Sequence, residues 1–150
     1  GRPTPKWLLD LHRFLGALAV IFTGIHLATL VADTSTSFGA AELLVPYASV
    51  WRTTPVAAGV LAMYTLVAVE LSSLAMRRLP RSWWRAVHLT SFASFWMATL
   101  HGITAGTDHG NRLLFVAYVV TAAAVVFLTS FRILVDRRRG PVRRVTATAA

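Results

Sequence analysis

Residues 14–32 carry no ionisable side chain except His26. A helical run of that length and polarity matches the roughly 20 apolar residues needed to cross a bilayer. Similar runs recur, predicting helices over about 7–32, 55–76, 82–106 and 113–135 of the 150 residues. Hydrophobic residues make up 55% of the chain and charged residues 14%, so most of it cannot face water. The expected fold is all-α, a membrane four-helix bundle over residues 1–140, followed by a basic, polar and disordered tail at 141–150.

The basic residues set the direction of each run. Arg2, Lys6 and Arg13 lie at the start of the first, and Arg77, Arg78, Arg81 and Arg85 at the turn between the second and third. Arg132, Arg137, Arg138, Arg139, Arg143 and Arg144 lie at the end of the fourth. Only Arg52 and Arg112 of the 15 basic residues fall in the other two connections. Four crossings with both termini cytoplasmic put the clusters on one side, as the positive-inside rule requires. The chain is therefore expected as a multi-pass protein of the cell membrane. Its net charge of +9 reads as topology, in contact with lipid, and not as a nucleic-acid surface. The first run follows a basic start, as a secretory signal would. It is too long for a signal's apolar core and holds two histidines that a discarded segment would not need.

Residues 33–54 open with Ser, Thr and Gly as a loop. The apolar piece at 40–45 is too short to span and is stopped by Pro46. It reads as an interfacial lid, with Tyr47 and Trp51 at headgroup level.

Histidines give the chain its chemistry. His12 and His26 lie fourteen apart on the first run, His88 and His101 thirteen apart on the third. Ionisable residues inside membranes are rare and mostly functional. The second run returns the chain, so the first and third are parallel. His12 and His88 then share the cytoplasmic level, and His26 and His101 the outer level, about 20 Å away at 1.5 Å per residue. Neutral imidazole is the usual protein ligand of haem iron. The expected cofactors are two haem b groups between the first and third helices, held by the pairs His12–His88 and His26–His101. With both axial positions filled, such sites suit electron transfer. Helical phase conflicts with this: thirteen residues leave His88 and His101 about 140° apart on a regular helix. A bend or a π-bulge would be needed to aim them. The bland reading is four membrane histidines bonded to nearby carbonyls. His109, beside Asp108 in the outer turn, reads as a solvated loop histidine.

Other residues admit two readings each. Gly16, Gly24, Gly102 and Gly106 would let a flat macrocycle approach backbone, or serve ordinary helix packing. Arg13, Arg81 and Arg85, and Arg112 outside, would pair with haem propionates or simply set topology. Trp83, Trp84, Phe92, Phe95 and Trp96 read as membrane belt and packing. Glu70, in the second run, would form an ion pair with Arg132 or serve a proton or quinone site. The absence of cysteine excludes disulfides, zinc–thiolate sites, iron–sulfur clusters and covalently attached haem.

The two histidine spacings, together with RAVHLTSFASFWMATLHGITAGTD and FGAAELLVPYASVWRTTP, resemble the ferric reductase-like transmembrane domain family, especially small actinobacterial members. The resemblance covers residues 7–135. It implies that His12, His26, His88 and His101 are haem ligands. Electrons would pass from a cytoplasmic flavin or nicotinamide donor through two b-type haems to an extracytoplasmic acceptor. Larger members have six helices and their own flavin and nucleotide domains. Four runs and no Gly-rich dinucleotide fingerprint imply a separate donor here: a flavoprotein, free reduced flavin or a quinol. A quinol-linked oxidoreductase, and a non-redox helical membrane subunit or small transporter, are the alternatives.

Overall fold

A computed structural model describes residues 5–34, 38–106 and 110–138. They form six helices and no strand: α1 (Lys6–Ala32), α2 (Ala40–Leu44), α3 (Thr53–Leu74), α4 (Arg81–Leu89), α5 (Ser91–Ala105) and α6 (Arg112–Arg138). The chain divides into two compact units, residues 1–107 and 108–150. Three of the described helices are long and apolar enough to cross a membrane: α1, α3 and residues 112–135 of α6.

In the first unit α3 is the helix the others pack on. It lies along α5 and also meets α4 and α1. Its first turn contains Pro55, tolerated because N–H groups of a first turn have no helical partner in any case. Its buried positions are small or β-branched: Val56, Ala57, Val60, Ala62, Val69 and Ser72. Small side chains let membrane helices approach closely, and a polar group between them needs a partner. Ser94 of α5 finds one, donating its hydroxyl to the Ala62 carbonyl of α3 at 2.9 Å.

Helix α1 buries none of its residues. Its threonines satisfy themselves along the helix, Thr23 donating to Ala19 O at 2.8 Å and Thr29 to His26 O at 2.8 Å. That is how hydroxyls live where water is absent.

The lid is a one-turn helix, α2, with Glu42 accepting from the Gly39 N–H at 2.9 Å. Phe38 and Leu43 are buried with Val56 and Val60 of α3, and Leu27, Leu30 and Met63 close around them. Trp51 meets Phe38 edge to face, and the Tyr64 hydroxyl donates to Leu44 O at 2.5 Å. Arg52, at φ 43°, stacks on Trp51 and donates to the Thr104 and Gly106 carbonyls at the end of α5. The lid is thus tied to α1, α3 and α5.

The single helix expected over 82–106 is two helices meeting at Thr90. Thr90 has φ −66° and ψ −12°. Its N–H bonds back three residues to Val87 O at 3.0 Å, and its hydroxyl takes the same carbonyl at 2.6 Å. The three-residue bond is a tighter, 3₁₀-type turn. The tail beyond residue 138, and His109, lie outside the described residues.

In the second unit α6 is capped by Asn111, whose side-chain oxygen accepts from the Leu113 and Leu114 N–H groups at 3.0 and 3.3 Å. Phe127 and Phe131 stack one turn apart along it. Glu70, read as an ion-pair partner of Arg132 or a proton or quinone site, lies on α3, and Arg132 lies on α6.

Ala57 is 1% exposed. Ala57→Leu should cost about 1–3 kcal/mol by overpacking and lower the thermal midpoint in detergent. Leu74→Ala, at an 82% exposed position, should leave the midpoint almost unchanged; equal midpoints for the two variants would contradict the packing around α3.

Candidate functional site

Four imidazoles from three helices meet in two pairs. His12 of α1 and His88 of α4 have ring centroids 5.8 Å apart and planes at 74°. His26 of α1 and His101 of α5 have centroids 6.2 Å apart and planes at 72°. The spacing along α1 puts the two pairs about 21 Å apart along the helix at 1.5 Å per residue. Both rings on α1 belong to exposed residues, and both partners are half-buried.

The turn at Thr90 answers part of the phase problem. A 3₁₀ step advances about 120° per residue instead of about 100°. The added rotation has the sign that brings His101 back toward the side of the helix that carries His88. The break also separates the two histidines onto helices that can tilt independently.

His101 is the most tightly specified of the four. Its Nδ1–H donates to the Pro55 carbonyl at 2.9 Å. A carbonyl can only accept, so Nδ1 carries a proton, and in the neutral ring Nε2 then keeps the lone pair. The ring also lies flat against bare backbone. A Cβ at Gly59 would sit 2.6 Å from Nδ1, 2.7 Å from Cε1 and 2.9 Å from Cγ. Neither Pro55 nor Gly59 stood out in the sequence. A glycine inside an apolar helix was the available signal for Gly59; a backbone carbonyl leaves no signal at all.

His88 is held differently. Trp84, one turn earlier, stacks on it with centroids 5.1 Å apart and planes at 24°. Trp84, read as membrane belt and packing, packs against an imidazole. The His88 Nδ1 and Trp84 Nε1 atoms are both buried without a hydrogen-bond partner.

The remaining expected residues are less engaged. Arg13 makes an exposed ion pair with Asp10 at 3.6 Å. Arg85 is exposed on α4, one turn before His88, and Arg81 opens that helix. Arg112 opens α6 in the other unit. Gly24 faces open space, whereas Gly16 is covered by the Glu70 carboxylate of α3, which occupies the place a side chain would take. Gly16 follows His12 by one turn, so Glu70 meets α1 beside the His12 level.

The ferric reductase like transmembrane component family matches residues 1–99. The chain belongs to that family. The matched part, about two thirds of the chain, includes His12, His26 and His88 and stops just short of His101. No curated protein and no solved structure matches the chain. For this ferric reductase-like membrane protein the two pairs offer two-nitrogen ligation at two levels. Among the described residues no three His, Cys, Asp or Glu side chains come together as a metal site.

The chain has no cysteine, so introduced thiols report cleanly on these pairings. His12→Cys combined with His88→Cys should be joined within one chain by a short bis-maleimide. His12→Cys with His101→Cys should not, and efficient joining of that second pair would refute the arrangement.

Proposed function

We propose that the chain carries electrons across the membrane through two b-type haems, one held by His12 and His88 and the other by His26 and His101. The observation that carries this reading is the meeting of the four imidazoles in two facing pairs at two depths. Such a group would be held by one ring nitrogen from each partner of a pair, so the two rings must stand apart with room between them. The pairs stand at 5.8 and 6.2 Å. Two donors suffice only for a metal whose other positions are already filled, as in a porphyrin. The protonated Nδ1 of His101 leaves Nε2 free to ligate. The residues present therefore fit the group.

When bound, haem iron supplies one-electron redox chemistry at each level. The protein's own part is placement. On this reading α1 and the α4–α5 pair are parallel crossings, α3 returns the chain between them, and α6 is the fourth. The clusters at the start of α1, the α3–α4 turn and the end of α6 lie on the cytoplasmic side with both termini. The His12–His88 level then takes electrons from a cytoplasmic donor, and the His26–His101 level delivers them to an acceptor outside. The donor is a separate flavoprotein, a reduced flavin or a quinol. The exposed guanidiniums of Arg13 and Arg85 are within one turn of the inner histidines and suit a propionate pair there.

Purified protein should contain two haem b groups per chain by pyridine haemochrome, with low-spin bis-imidazole spectra. His26→Ala should remove one haem and keep the other, and His12→Ala should do the converse. A colourless preparation would sink the redox reading in favour of a non-redox membrane subunit. One haem per chain would sink the two-site form.

A further inference from the structure

The two histidine pairs are built alike but supported differently. At the outer pair His101 donates Nδ1–H to the Pro55 carbonyl, 2.9 Å away, over the bare backbone of Gly59. At the inner pair the Nδ1 of His88 is buried and has no acceptor. A histidine that gives its second N–H to a carbonyl becomes a stronger donor to a metal, and a stronger donor favours the oxidised, more positive metal. A histidine whose N–H meets nothing lacks that help. The supports alone therefore make the outer site harder to reduce than the inner one.

Fixed charges point the same way. Around the inner level the described part of the first unit places Lys6, Arg13, Arg77, Arg78, Arg81 and Arg85, against the acids Asp10 and Glu70. Around the outer level it places Arg52 alone, against Asp33 and Glu42. Cations favour the reduced, more electron-rich state and acids oppose it, with little screening where water is excluded. Glu70, against Gly16 beside the His12 level, works against the inner excess but does not cancel six cations.

We infer that the first turns of α3, through Pro55 and Gly59, act as a positioning unit that sets the outer iron at a lower reduction potential than the inner one. The inference rests on the two-haem reading above. Arg52 belongs to the same unit, because it fastens the Thr104 and Gly106 carbonyls just beyond His101 to the start of α3. Three positions within two turns of chain thus fix one end of α5: Arg52 by its guanidinium, Pro55 by its carbonyl and Gly59 by its lack of a side chain.

The order of potentials has a consequence for direction. An electron entering at the inner level sits in the deeper well and climbs to the outer one. A membrane negative inside pushes the electron outward, so its field offsets the climb. Without that field, or without an acceptor draining the outer site, electrons rest at the inner level. The arrangement holds charge near the donor until the outside can take it.

The test is a spectroelectrochemical titration of the purified protein, with haem counted per chain first. Two waves are expected in the unsubstituted protein. His26→Ala should abolish the lower wave, and His12→Ala the upper. The reverse assignment, with two haems still present, overturns the inference and leaves the two-haem reading standing; fewer than two haems in the unsubstituted protein sinks that reading and the inference with it. Gly59→Ala must displace the His101 ring from its carbonyl, so it should move the lower wave upward and leave the upper wave in place. An unmoved lower wave overturns the role of this unit. Should Gly59→Ala lose the outer haem, the bond is read in the unsubstituted, reduced, diamagnetic protein labelled with ¹⁵N-histidine. There the His101 Nδ1 proton should resonate downfield of the His88 one, and coincident resonances overturn the proposal.

Discussion

Helix α1 is moored to α3 at two heights, and those moorings lie beside the two histidine pairs. One is Glu70, whose carboxylate fills the space above Gly16, one turn past His12. The other is the apolar cluster of Phe38, Leu43, Val56 and Val60, on which Leu27 and Leu30 of α1 rest just beyond His26. Each mooring lies beside one pair. Toward α4 and α5 the helix presents His12 and His26, each facing an imidazole across about 6 Å. Between helices in lipid there is no hydrophobic driving force to close such a gap. α3 acts as a spacer, and its small buried residues let it hold α5 closely while keeping α1 at arm's length.

Much of this was legible in the residues. The basic clusters gave the helices their alternation, and alternation alone matched His12 with His88 and His26 with His101. The matched sections of helix were close as well: α3 runs two residues earlier than the expected 55–76, and α6 extends past 135 to Arg138. What could not be seen was the supporting contacts. Pro55 acts through its carbonyl, which every residue possesses. Gly59 matters because of a ring that comes from a helix some forty residues later. Gly16 was read as room for a macrocycle or as ordinary helix packing, and its space is taken by an acid from the neighbouring helix. Local sequence reports what a side chain is, and these roles depend on what lies opposite it.

The break at Thr90 is the instructive case between the two. The thirteen-residue spacing signalled that a regular helix could not serve both pairs, but it did not say where the irregularity would fall. The pair Thr90–Ser91 was the available clue. A threonine hydroxyl competes with the backbone for a nearby carbonyl, and Thr90 takes Val87 O both by its N–H and by its hydroxyl. In lipid a helix yields where the freed backbone groups find partners, and Ser and Thr side chains are one source of them. In residues 86–93 the polar side chains are His88, Thr90 and Ser91. His88 is engaged by Trp84 and His12, so the Thr–Ser step is where the helix can give way.

The break also separates two kinds of histidine support, and the separation follows from the chain's geometry. Before it, α4 is short, basic and follows Pro80, and His88 is supported by its own helix through Trp84. After it, α5 lies along α3 and can borrow a carbonyl from that neighbour, as His101 does from Pro55. The Pro55 carbonyl is close enough because Gly59 lets the ring settle on the backbone one turn further along. A side chain at Gly59 would lift the ring from that carbonyl, and among the described residues no tryptophan stacks on His101 as Trp84 does on His88. Helix packing therefore decides the support of each imidazole: the one backed by a helix neighbour gives its Nδ1–H to a carbonyl, and the one backed by its own tryptophan keeps a buried Nδ1 without a hydrogen-bond partner.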